Sequence, residues 1–93
     1  DFFNILEVQC QYYNYYHVVI SFGVLGYYVF PEEKVKKYIN NVHGLLKKGG
    51  LFYLKIDNYD LGKYHIDMNY ITKYFTLLRE EQVHGFIFYT FQK

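Results

Sequence analysis

The sequence predicts an α/β fold built on a mostly parallel sheet, and three observations carry that expectation. Val18, Val19, Ile20 and Phe22 form an apolar run ending at Gly23; Val35, Tyr38, Ile39, Val42, Leu45 and Leu46 recur at helical spacing after Pro31; and Gly49-Gly50 leads into a second apolar run from Leu51 to Ile56. Strand, helix, glycine stop and strand make a βαβ unit, which is how parallel strands are joined. The first run does not alternate with polar residues, so a strand covered on both faces is expected. Gly23 allows a sharp turn at the strand's carboxyl end, the edge at which open α/β sheets bind ligands.

The elements follow in order. Asp1 to about Val8 reads as extended, and Gln11-Tyr12-Tyr13-Asn14-Tyr15-Tyr16 as a connector whose tyrosines lay their rings on apolar surface and their hydroxyls in water. The first strand runs from about His17 to Phe22, and Gly23, Gly26 and Tyr27-Tyr28 form the loop after it. Pro31 suits the first turn of a helix, with Glu32 and Glu33 complementing its positive end. Lys47 and Lys48 suit the negative end, with Gly49 as the stop. Leu51 to Ile56 is the second strand, and Asp57 to Lys63 is a loop rich in turn formers. Asp67 caps a short helix with Tyr70, Ile71, Tyr74 and Phe75 on one face. Thr76 to Gln82, a turn near His84-Gly85, and Phe86 to Phe91 read as a hairpin.

The two hairpin strands differ in character. Phe86, Ile87, Phe88, Tyr89 and Phe91 are large on both faces, as a central strand requires, whereas Arg79, Glu80, Glu81 and Gln82 suit a solvent-facing edge. The last strand is therefore expected between its hairpin partner and the Leu51 strand. Counted along the chain, the expected spatial order is 1-2-4-3, with only the fourth strand antiparallel.

Composition narrows the function classes. Ten basic residues face nine acidic ones, a net charge of +1, so no overall field recruits a polyanion. A tyrosine-rich stacking surface for single-stranded nucleic acid is disfavoured on that ground. No run approaches the ~18 apolar residues that span a bilayer, so no membrane partner is expected. The single cysteine, Cys10, makes no internal disulfide, which suits a reducing, cytoplasmic setting. His17, His43, His65 and His84 lack metal-ligand spacing and read as scattered structural or surface histidines. Neither a phosphate-binding loop nor a nucleophile elbow is present. The lysines at 34, 36, 37, 47 and 48 read as a solvated helix face.

His17-Val18-Val19-Ile20-Ser21-Phe22-Gly23-Val24-Leu25-Gly26-Tyr27-Tyr28, followed by Leu45-Leu46-Lys47-Lys48-Gly49-Gly50-Leu51-Phe52, resembles the fourth strand, following helix and fifth strand of class I S-adenosylmethionine-dependent methyltransferases. Asp1-Phe2-Phe3 is similar to the acidic residue and short link after that family's third strand. The resemblance implies the carboxyl-terminal half of a partial Rossmann-like, doubly wound domain spanning residues 1–93, with the amino-terminal half that carries the cofactor loop absent. It implies S-adenosylmethionine as cofactor, a small-molecule acceptor, and a chain that acts as part of a longer one. It places Asp1, Ser21, Phe22, Gly23 and Leu25 beside the cofactor, Asp1 accepting from the adenine amino group and Ser21 and Phe22 offering backbone groups. The plainer alternatives are that Asp1 is a frayed terminal residue and that Ser21 to Leu25 simply end and turn a strand.

Relatives often carry Glu-His where this chain has Gly26-Tyr27. A neutral tyrosine, with a reference pKa of ~10, is a poor base near pH 7. Tyr27, Tyr28 and Asn58 are accordingly substrate-side candidates, and the two tyrosines only weak catalytic ones; loop aromatics covering the sheet edge are the plainer account. The alternative function is a noncatalytic methyltransferase-like interaction module whose exposed sheet edge needs a partner. On either reading these residues alone are expected to be marginally stable or self-associating, and inactive.

Overall fold

The computed structural model describes residues 14–26, 28–57 and 61–93. The described elements are β1 (Tyr16–Phe22), α1 (Glu32–Leu45), β2 (Leu46–Ile56), α2 (Met68–Ile71), β3 (Thr76–Val83) and β4 (Phe86–Gln92). They form an α/β fold around one four-stranded sheet of order β1-β2-β4-β3. The extended segment expected from Asp1 to Val8 lies outside the described residues.

The strand order is the one the residue pattern predicts. β1 pairs with β2 in parallel, and β4 pairs antiparallel with both β2 and β3. Three strands therefore point one way and β4 the other. The sheet is mixed with antiparallel pairing predominant, where a mostly parallel one was expected, because a single reversed strand placed internally converts both of its pairings. The hairpin turn at His84 and Gly85 has positive φ at both residues, the type I′ geometry that matches strand twist.

One face of the sheet holds the core. Phe52, Leu54 and Ile56 of β2 and Ile87, Tyr89 and Phe91 of β4 are buried against Val35, Tyr38, Ile39 and Val42 of α1 and against Ile71 and Phe75. Phe52 lies opposite Phe91 in the β2–β4 register, with the rings stacked at 5.8 Å. Phe75 packs on both.

The other face is open, which corrects the expectation of a first strand covered on both sides. Val18 is 42%, Ile20 62% and Phe22 50% exposed, while Ser21, facing α1, is 2% exposed. Both described helices pack on the same face, so among the described residues none covers the second. β3 is exposed along its whole length and carries Arg79, Glu80 and Glu81, as an edge should.

The end of α1 also differs from expectation. The helix stops at Leu45, Leu46 turns extended and buried, and Lys47, Lys48 and Gly49 belong to β2 rather than to a helix terminus. The register jumps from Tyr16↔Leu46 to Val18↔Leu51, so residues 47–50 form a bulge. The cation at the helix's negative end comes instead from Lys93. Its Nζ donates to the carbonyls of His43 and Leu46 at 2.6 and 2.8 Å and to Asn14 Oδ1 at 2.9 Å. The Asn14 and Tyr15 amides take the carbonyls of Gly44 and Leu45 at 2.7 and 2.9 Å. Helix-end carbonyls need such partners, and sequence proximity did not reveal which residues would supply them.

α2 is shorter than its predicted face. Asp67 caps it as expected, Oδ1 accepting from the Asn69 amide at 2.9 Å, but only Met68–Ile71 is helical; Ile71 and Phe75 are buried whereas Tyr74 is exposed. Among the described residues no helix is long and apolar enough to cross a membrane.

Two outcomes follow from the end of α1. Replacing Lys93 by Met should cost about 1–3 kcal/mol in a urea melt, because charge-assisted hydrogen bonds to the helix terminus are lost. His43, packed edge-on against Tyr74 and Phe75, is held neutral by burial and secondarily by the Lys93 charge, so its pKa is lowered on folding. Between that lowered value and the ordinary ~6.5 the unfolded chain binds more protons, so stability should fall as pH drops from about 6.5 through the folded value. His43→Gln should flatten that segment of the stability–pH curve, and an unchanged curve would locate the titrating group elsewhere.

Candidate functional site

The residues singled out at the end of the first strand come together at one edge of the sheet, though not in the roles sequence alone suggested. The Ser21 side chain points away from that edge. Its Oγ is hydrogen-bonded to the Tyr38 hydroxyl of α1 inside the core. Burial pushes the Tyr38 phenol up, and the Ser21 bond opposes that. Ser21 can therefore serve a ligand only through its backbone. Phe22 points to the open face, its ring 6.1 Å from Phe88 in an edge-on contact.

Gly23 has φ +77°, and a Cβ there would meet nothing within 4 Å, so the backbone stands bare at the carboxyl end of β1. Leu25 is buried and bridges to Tyr28. Gly26, at φ +76°, passes so close to the end of β2 that a Cβ would meet Ile56 Cγ2 at 2.6 Å. Only glycine permits that approach, which brings Gly26 against the end of β2. Tyr28 is exposed beside Phe30, the ring centroids 6.3 Å apart. Asp1, Tyr27 and Asn58 lie outside the described residues.

Structure adds groups that sequence reading passed over. Asp57 directly follows β2 at the same edge. Its buried Oδ1 has no hydrogen-bond donor among the described residues and lies 3.4 Å from Lys55 Nζ, which itself sits over the Phe86 ring. Its place directly after the second strand was the available signal.

A cleft of about 400 Å³ opens between the 61–68 segment and the start of α1, lined by Glu32, Leu61, His65, Ile66, Asp67 and Met68. The turn before it closes with the His65 amide donating to Gly62 at 3.2 Å and the Ile66 amide to Leu61 at 2.9 Å. This is a Schellman-type closure with His65 at the left-handed position, φ +57°, usually taken by glycine. His65 Nδ1 is 2.8 Å from the Phe30 carbonyl. A carbonyl only accepts, so Nδ1 carries the proton. Nothing in the sequence paired His65 with a carbonyl 35 positions away.

The edge offers bare backbone for a flat ring at Gly23, and the cleft offers carboxylates and an imidazole over an apolar floor. Among the described residues no group of three or more His, Cys, Asp or Glu is placed to hold a metal ion. No protein-family model matches the chain, and no curated protein matches it significantly.

The Ser21–Tyr38 bond gives a direct test of its structural role. Tyr38→Phe should cost about 1–3 kcal/mol by stranding a buried hydroxyl, Ser21→Ala a similar amount, and the double variant less than their sum in thermal melts. Additive losses would show that the two hydroxyls do not depend on each other.

Proposed function

We propose that this chain is the carboxyl-terminal half of a Rossmann-like methyltransferase domain that, as part of a longer cytoplasmic protein, transfers a methyl group from S-adenosylmethionine to a small-molecule acceptor. The observation that supports this most strongly is the sheet order β1-β2-β4-β3, with the reversed last strand lodged between β2 and β3. Class I methyltransferases, which the β1–β2 sequence resembles, place a final antiparallel strand in the same position. Fold analogy is the main warrant.

The open face supports the idea of a missing half. A parallel edge strand with Val18, Ile20 and Phe22 exposed is unusual, because strands joined by crossover helices are normally covered on both faces. A further strand beside β1 and a helix over it would bury that surface. The same exposure favours the second reading, a noncatalytic module whose partner covers β1. Sedimentation separates the two: a monomer that binds the cofactor supports the enzyme, and a partner-dependent chain with no cofactor affinity supports the module.

The described residues fit one margin of the cofactor. Gly23 leaves room for close approach, the backbone of Ser21 and Phe22 lies beside it, and Asp57 stands across the end of β2. When bound, S-adenosylmethionine would supply an electrophilic methyl for in-line displacement. The chain's part is then to align the acceptor and exclude water. Gly26, close against Ile56, would supply a wall for that purpose, with Tyr28 and Phe30 nearby.

Calorimetry with S-adenosylmethionine tests the reading on the full-length protein. Saturable binding with a Kd below about 1 mM is expected, weakened at least tenfold, by expectation, in Gly23→Val because a branched side chain fills the bare backbone. Absence of binding by the full-length protein would exclude the enzyme.

A further inference from the structure

We draw no further inference here: the strongest candidate, the apolar face of the sheet left open around Val18, Ile20 and Phe22 of β1, already carries the proposal of a missing half, and nothing in the structure shows what covers it.

Discussion

The contact between Phe52 and Phe91 is the constraint on which the rest of this structure depends. The two rings face each other across the β2–β4 register, both fully buried, and Phe75 closes over them from the segment after α2. Burying a ring of this size contributes roughly 2–3 kcal/mol. A one-residue slip of β4 would turn Phe91 to the open face and bring Thr90 or Gln92 into the core. The antiparallel insertion of β4 is therefore held by side-chain burial as well as by backbone pairing. With β4 in place, β3 is necessarily the edge, and its exposed charges suit that place.

A second constraint gathers distant parts of the chain at the carboxyl end of α1. Carbonyls of His43, Gly44, Leu45 and Leu46 are met by Lys93, Asn14 and Tyr15. Burial holds the Lys93 pKa below the ordinary lysine value, while its ammonium has three oxygen acceptors, which offsets part of the cost of enclosing the charge. The helix end, the start of β1 and the end of β4 are tied by this set of bonds. Gly23 and Gly26 lie at the opposite edge, beyond the carboxyl ends of β1 and β2.

The two faces of the sheet explain why the candidate site has two parts. On the covered face, Ser21 is consumed by its bond to Tyr38, so it contributes packing to the edge rather than chemistry. Bare backbone at Gly23 and the wall pinned by Gly26 remain for a flat ligand. The cleft beside α1 is separate and charged. Its histidine is set by the 61–65 turn and the Phe30 carbonyl, each local to a different loop, and neither loop alone would form the cleft.

Local patterns in the sequence determined the element order, the two apolar strands, the cap at Asp67 and the central character of the last strand, because periodicity and capping act over a few residues. Even the strand order was legible, since bulky residues on both faces of Phe86 to Phe91 and charges on Arg79 to Gln82 distinguish centre from edge. Tertiary structure alone decided where α1 ends, since Leu46 gains more from burial in the sheet than from another helical turn. It alone decided that Lys93, rather than Lys47 or Lys48, meets the helix carbonyls, that Ser21 faces inward, and that His65 stands in a cleft. Each of these depends on a partner more than fifteen residues away, and contacts at that separation leave no trace in local periodicity.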